Sequence, residues 1–194
     1  NEQKEEKGAK ELVADTKDDY KTVDWYEMLD FESEPIMYGL DRKNDGYMPR
    51  ERGIIIHEIL SNIKTFDESE SVLDKYIDDG IIGEDEAKYL LNKFNEIANL
   101  KEIKEAYSKD AIVKNEMSIL TPKGMLRPDR YVELEDKVVV IDYKTGTHRE
   151  EYCSKQREYM FALQDMGIRK NIEGYLLYIG EKIEIIPVFM DRLF

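Results

Sequence analysis

Cysteine is nearly absent, since Cys153 is the only one among 194 residues. A single thiol excludes an intrachain disulfide and the zinc or iron–sulfur sites that need several cysteines. A reducing, cytoplasmic setting is therefore expected. Long apolar runs are also lacking, because no stretch approaches the ~20 residues that cross a bilayer and the charged first residues do not resemble a signal peptide. We expect no membrane partner.

Positive charge is in deficit. Lys and Arg total 29 against 43 Asp and Glu, which gives a net charge of -14. Nonspecific DNA binding depends on cations that neutralise phosphates, so this balance counts against nucleic acid and leaves a small acidic interaction domain as one interpretation. The deficit is uneven, because residues 1–34 hold 5 basic and 12 acidic side chains. We interpret 1–34 as an acidic linker or peripheral segment and 35–194 as one folded domain.

Apolar residues make up 41% of the chain, enough for a sizeable core, and their spacing changes along it. Helical periodicity predicts helices over 51–63, 69–79, 84–98 and 150–166. Alternation and turn residues predict a hairpin of strands 112–120 and 125–134, a central strand 138–143, and later strands 174–179 and 182–188. The expected fold class is α/β, with a mixed sheet flanked by helices.

A group of polar residues interrupts the predicted strands. Asp129 falls in the second strand of the hairpin, and Asp142 lies near the end of the central strand. Lys144 lies two residues after Asp142, so both side chains are expected on the same face of the strand. Glu116 on the first hairpin strand can reach that face too. Carboxylate oxygens suit Mg2+ or Mn2+, and a metal ion with a nearby cation can hydrolyse a phosphodiester.

Each of these residues also has an ordinary interpretation. Asp129 beside Arg127 can be a salt-bridged turn residue, and Asp142 with Lys144 can be an ion pair at an exposed strand end. His57, in the middle of the first predicted helix, can be a core histidine. These interpretations leave unexplained why one Asp interrupts a strand and another ends an apolar strand just before a lysine. The joint pattern favours a functional site.

Three segments in chain order form a recognisable set, namely Gly53-Ile54-Ile55-Ile56-His57, Arg127-Pro128-Asp129 and Asp142-Tyr143-Lys144-Thr145-Gly146. The last two resemble the signature of the PD-(D/E)XK nuclease superfamily. The first is similar to the GxxxH helix motif of its RecB and AddA branch, and the DYKTG strand end is similar to that branch too. Several motifs in the right order are far more specific than one DxK.

The resemblance implies a restriction-endonuclease-like fold and a metal-dependent deoxyribonuclease. The ligands that it implies for Mg2+ or Mn2+ are His57, Asp129, Asp142 and the carbonyl of Tyr143. Lys144 would orient the attacking water or stabilise the transition state. Glu116 falls where the branch has an acidic residue and would be an auxiliary acid.

A later helix of this branch carries a Gln with a Tyr four residues on. Here Gln156 and Tyr159 are three apart, whereas Lys155 keeps the four-residue spacing. We expect Tyr159 and Gln156 to contact DNA, with Lys155 as the alternative to Gln156. Tyr159 also fits an ordinary amphipathic face. Further candidates for phosphate contacts, among charges that are mostly just solvated, are Lys123, Arg127, Arg130, Arg149 and Arg157.

The resemblance also bears on partners. Nuclease domains of this branch sit at the C-terminal end of UvrD/Rep-type helicases, so we expect an excised piece of a helicase–nuclease that acts as an exonuclease in DNA recombination or repair. The implied partners are DNA, a covalently linked helicase domain and a second helicase–nuclease subunit. The chain has no GxxxxGK[ST] motif, so ATP hydrolysis is not expected. The alternative is a catalytically inactive nuclease fold that binds DNA or a protein.

Overall fold

The computed structural model describes residues 49–190, so the predicted linker 1–34 and residues 35–48 and 191–194 lie outside it. Helices in the first half and a strand-rich second half confirm the predicted α/β class. The helices are α1 (Pro49–Ser61), α2 (Ser69–Asp78), α3 (Glu84–Ala98) and α4 (Glu150–Asp165). The strands are β1 (Ile112–Asn115), β2 (Ile119–Thr121), β3 (Gly124–Leu126), β4 (Arg130–Glu133), β5 (Lys137–Lys144), β6 (Asn171–Ile179) and β7 (Ile183–Val188). The restriction-endonuclease-like fold stays a prediction.

Five strands form one mixed sheet in the order β1-β4-β5-β6-β7. β5 pairs parallel with β6, and the other neighbouring strands pair antiparallel. Parallel neighbours need a crossover connection, and α4 lies in the one between β5 and β6. β5 is therefore the middle strand of the sheet, as its apolar sequence predicted.

Different helices cover the two faces of the sheet. Along β5, the residues that pack into the core with α1, α2 and α3 are Val139, Ile141 and Tyr143, and those that face α4 are Val138 and Val140. Side chains alternate along a strand, so the even-numbered positions of β5 belong to the α4 face. Burial on both faces explains why β5 is a continuous apolar run.

The predicted strands 112–120 and 125–134 do pair antiparallel as a hairpin, but the pairing is interrupted in the middle. β1 pairs with β4 in the large sheet, while β2 and β3 form a separate two-stranded ribbon. Glu116 marks the break on one side, because its φ of 53° lies in the left-handed region that side chains rarely adopt. Pro128 favours the break on the other side, because it has no N–H to donate to a ladder. Glu116 and Asp129 therefore lie just outside the strands, not on them as predicted.

Two helices end at glycines. Gly80 follows α2 and Gly167 follows α4, with φ values of 69° and 93° that glycine adopts without strain. The other helix bounds agree with the predicted ones within a few residues, as expected for frayed ends. Within residues 49–190, no helix has the length and apolar content needed to cross a membrane.

Candidate active site

The predicted polar residues meet at one end of the sheet. Asp142 and Lys144 lie at the end of β5. β4 runs antiparallel to β5, so Asp129, which immediately precedes β4, lies beside that end. His57 on α1 reaches the same place, where its Nδ1 is 3.5 Å from Asp129 Oδ2. Four side chains from α1, the start of β4 and the end of β5 thus form one cluster.

Asp142 and Lys144 confirm the predicted shared face. Lys144 Nζ lies 2.5 Å from Asp142 Oδ2, and their side chains are only 13% and 4% exposed. The contact is a short, charge-assisted hydrogen bond in which the Lys144 ammonium donates to Asp142 Oδ2. The Lys144 ammonium also lies over the ring of Tyr152, 4.6 Å from its centroid. Both contacts hold the ammonium at the end of β5.

Burial acts on both members of this pair. It raises the pKa of Asp142, the charge of Lys144 opposes the rise, and the charge of Asp129 adds to it. Burial lowers the pKa of Lys144, but the charges of Asp142 and Asp129 outweigh burial and raise it. Lys144 therefore stays an ammonium at neutral pH.

Asp129 and His57 form a second pair of opposite sign. Burial raises the pKa of Asp129, yet the charge of His57, the charge of Lys144 and the N–H of Tyr143 together lower it to about 2. That N–H donates to Asp129 Oδ2 over 2.6 Å. Burial lowers the pKa of His57, but Asp129 overcomes burial and raises it. An ionised Asp129 therefore favours the protonated imidazole.

Glu116 lies on the rim of this cluster. Its backbone N–H donates to the carbonyl of Asp129 over 2.9 Å, and its carboxylate forms a 2.8 Å ion pair with Arg127. Burial raises the pKa of Glu116, and the charge of Asp129 raises it further. The prediction that Glu116 faces the same site as Asp129 and Asp142 fits this coupling. Its left-handed backbone is the kind of strain that concentrates at functional sites.

Two tyrosines approach the site in different ways. The Tyr143 side chain points to the opposite face of the sheet, where its hydroxyl meets that of Tyr107 at 2.8 Å. The ring of Tyr143 packs edge-on against the imidazole of His57, with 5.9 Å between the centroids, while its hydroxyl faces away from the carboxylates. Tyr159 on α4 is buried, and its pKa is raised by burial and then by the charges of Asp142 and Asp129. It lies close enough to the carboxylates to sense their charge.

Gln156 and Lys155 have separate environments. Gln156 is fully buried, and its Nε2 donates to the carbonyl of Val140 over 2.8 Å. This bond ties α4 to β5, and the burial leaves no surface of Gln156 for the predicted contact with DNA. The positive charge of Lys155 lowers the pKa of Asp142, so Lys155 is the residue of the two whose charge reaches the carboxylates.

Arg130 has a structural role that was not predicted from the sequence. It was grouped with surface cations for phosphate, but the structure buries it completely. Its guanidinium donates to the carbonyls of Ile63 and Lys64, just beyond the end of α1, where a cation also complements the helix dipole. The alternation of side chains along a strand could have revealed this burial. Arg130 lies two residues before Val132 on β4, so it shares the face of Val132, which is buried in the core under the helices. Arg130 fixes α1 against β4, and therefore His57 against Asp129.

Comparison with protein-family models and with curated proteins gives no match for this chain. The resemblance to PD-(D/E)XK nucleases stays a prediction that rests on the residue pattern.

The donor set suits a hard divalent cation by its chemistry. Asp129, Asp142 and Glu116 offer carboxylate oxygens, and His57 offers an imidazole nitrogen. As the side chains of residues 49–190 stand, no group of three or more His, Cys, Asp or Glu residues is arranged to hold a metal ion. The reason is local, since Asp142 turns an oxygen to Lys144 and Asp129 turns one to His57. Side-chain rotation would be needed to assemble a ligand shell.

Proposed function

We propose that this chain is a metal-dependent deoxyribonuclease domain of the PD-(D/E)XK type, acting as the exonuclease module of a helicase–nuclease in DNA recombination or repair. The observation that carries the proposal is the convergence of His57, Asp129, Asp142 and Lys144 at one end of the sheet. These residues are far apart in sequence and belong to three ordered motifs. A structural role alone gives no reason for two buried carboxylates, an imidazole and an ammonium to gather there.

The residues divide the work as follows. Asp129, Asp142 and His57 would hold Mg2+ or Mn2+, with the Tyr143 carbonyl as a further ligand. When bound, the ion supplies polarisation of the phosphate and a water molecule of lowered pKa. Lys144 stays protonated and faces the same region, so its ammonium can orient the attacking water and stabilise negative charge that develops on the phosphate.

The rim and the flanking helix supply the other roles. Glu116 lies beside Asp129 and can accept a hydrogen bond from water or hold a second cation. Tyr159 and Gln156 on α4 were predicted to contact DNA, but both are buried, 1% and 0% exposed, so the proposed DNA contact on α4 is Lys155, whose charge reaches Asp142. A net charge of -14 makes long-range capture of DNA weak. Delivery of the strand by a linked helicase domain would remove that difficulty.

An inactive scaffold is the second candidate, and one observation favours it. Both central carboxylates already face a cation of the protein, Asp142 with Lys144 and Asp129 with His57. A fold that kept this arrangement only for stability would bind DNA or a protein partner and would need no metal. Metal binding therefore separates the two candidates.

The test is cleavage of end-labelled single- and double-stranded DNA in Mg2+, Mn2+ or EDTA. Asp142→Ala is compared with Asp136→Ala, which removes an exposed carboxylate from the turn that precedes β5, at the opposite end of the strand. The proposal expects metal-dependent cleavage that Asp142→Ala abolishes and Asp136→Ala retains. If folded wild-type protein neither cuts DNA nor binds Mn2+, the scaffold is the better description.

A further inference from the structure

Two buried tyrosines meet beside the candidate active site. Tyr143 on β5 is 1% exposed, and Tyr107, at the end of the short 3-10 helix Lys104–Tyr107, is 7% exposed. Their hydroxyls lie 2.8 Å apart, so each hydroxyl has the other as its hydrogen-bond partner. The hydroxyls face away from the carboxylates of the cluster, and the proposed roles of the site residues do not use them.

Tyr107 is held in place by contacts on its ring and on its backbone. The ring stacks on Phe66, with 4.1 Å between the centroids and 21° between the planes. The Arg130 guanidinium lies 3.9 Å from the centroid of the Tyr107 ring and donates to the carbonyl of Ala106, the preceding residue, over 3.0 Å. Side chains in a close-packed core interdigitate with few voids, so these contacts make the Tyr107 hydroxyl a fixed point in the core.

Tyr143 connects this fixed point to two residues of the candidate site. Its ring packs edge-on against the His57 imidazole, with 5.9 Å between the centroids and 81° between the planes. Its backbone N–H donates to Asp129 Oδ2 over 2.6 Å, and the same oxygen lies 3.5 Å from His57 Nδ1. A shift of the Tyr143 ring therefore moves the surface on which the imidazole rests, and with it the imidazole relative to Asp129.

A pair of phenylalanines would fill the same space without burying a polar atom. It would keep the stacking of one ring and the edge-on contact of the other, and replacing both partners of a buried hydrogen bond by apolar groups can be nearly neutral for stability. Apolar packing is non-directional, however, whereas a hydroxyl–hydroxyl bond of 2.8 Å restricts both distance and angle. The bond between Tyr107 and Tyr143 therefore suits the positioning of a ring better than the stabilisation of the core.

We propose that Tyr107 is a positioning residue of the candidate active site. Its hydroxyl fixes the Tyr143 ring, and that ring holds the His57 imidazole beside Asp129, where both side chains would serve as metal ligands. Groups that orient a metal ligand from outside the ligand shell tune the affinity for the metal. The link from Tyr107 to His57 is a property of the fold, whereas its effect on Mn2+ rests on the proposed function.

The first measurement is the NMR spectrum of the histidine rings of the full chain in EDTA, where no metal contributes. The chemical shifts of the His57 ring protons depend on the ring current of Tyr143, so they report where that ring lies. Tyr107→Phe removes only the hydroxyl and keeps the stacking on Phe66, so the variant should fold. The His57 signals should move in this variant, and those of His148, which lies against Tyr178 instead, should not.

The second measurement is a titration of the same proteins with Mn2+ in the absence of DNA. Tyr107→Phe should bind Mn2+ about tenfold more weakly, which is the low end for the loss of a group that orients a metal ligand. Tyr143→Phe removes the other hydroxyl and should give the same two changes. The double variant should add nothing to either single one, because each single variant already breaks the bond.

The matched control is Tyr175→Phe, which removes a hydroxyl that donates to Glu173 over 3.2 Å near the start of β6. It should change neither the His57 signals nor the affinity for Mn2+. Unchanged His57 signals in folded Tyr107→Phe, or an unchanged affinity where wild type binds Mn2+, would overturn the inference even if Asp142-dependent cleavage is observed. Moved His57 signals in a chain whose wild type binds no Mn2+ support the link from Tyr107 to His57 while removing the nuclease proposal.

Discussion

Replacing Arg130 with Met keeps a long side chain and removes its charge and its donors. The backbone carbonyls that would lose a buried donor are those of Ile63 at 2.8 Å, Lys64 at 2.6 Å and Ala106 at 3.0 Å. The guanidinium also stacks on Tyr107, 3.9 Å from the ring centroid. The carbonyl of Ile63 keeps a 3.3 Å hydrogen bond from Asn115, so two carbonyls are orphaned. Each costs about 1–3 kcal/mol, and the low end applies where water can reach the end of a helix, so the expected loss is about 2 kcal/mol in the free energy of unfolding.

Urea unfolding followed by circular dichroism measures this loss. Arg157→Met is the matched control, because Arg157 makes one surface hydrogen bond to the carbonyl of Phe189 and should change stability by at most about 1 kcal/mol. A loss below about 1 kcal/mol for Arg130→Met would refute the reasoning, since it would mean that the three carbonyls gain nothing net from the guanidinium.

Three further predictions concern the cluster itself. Asp129→Asn should bring the pKa of His57 below its ordinary 6.5, because burial and Lys144 both lower it and only the weaker charges of Asp142 and Glu116 then oppose them; NMR titration of the two histidines in EDTA reads this directly. In wild type, the raised pKa of His57 adds to the free energy of unfolding. This contribution is fully present below pH 6.5 and is lost as the pH rises through the pKa of His57 in the folded protein. The Asp129→Asn variant should not lose stability in that pH range. Lys144→Ala should cut cleavage by about 100-fold or more while Lys170→Ala, which breaks a 2.9 Å ion pair at the other end of the sheet, does not. EDTA should leave the melting temperature unchanged, and unfolding in EDTA would contradict the pairing of the carboxylates with protein cations.

The sequence predicted the site best where strand periodicity decided the geometry. Asp142 and Lys144 share a face because strand side chains alternate, and the structure brings their charged atoms together. The apolar run before them predicted a central strand, and β5 occupies that position. His57 required more, because helical spacing places it on α1 but gives no reason for α1 to lie against Asp129.

The errors arise from tertiary contacts that periodicity does not encode. Alternation continues through Glu116, so the sequence predicted one long strand, yet a left-handed backbone there divides the ladder. Arg130 is charged and was assigned to the surface, whereas the carbonyls beyond α1 offer it a buried set of acceptors. Gln156 has a similar explanation, because its amide donates to the buried carbonyl of Val140. For Arg130 and Gln156, a polar side chain satisfies a backbone group that only the folded chain brings near.

The cluster contains three carboxylate–cation pairs, Asp129 with His57, Asp142 with Lys144 and Glu116 with Arg127. Bare carboxylates buried together would cost several kcal/mol each, comparable to the whole stability of a domain, so the pairs allow the fold to form without metal. The same pairs weaken metal binding, because a divalent cation has to replace a protein cation beside a carboxylate. A phosphodiester brings negative charge that offsets the added ion. Mn2+ and DNA should therefore bind with positive coupling, and Mn2+ titrations with and without a cleavage-resistant oligonucleotide should give a tighter constant with DNA. Equal constants would mean that the protein cations do not compete with the metal.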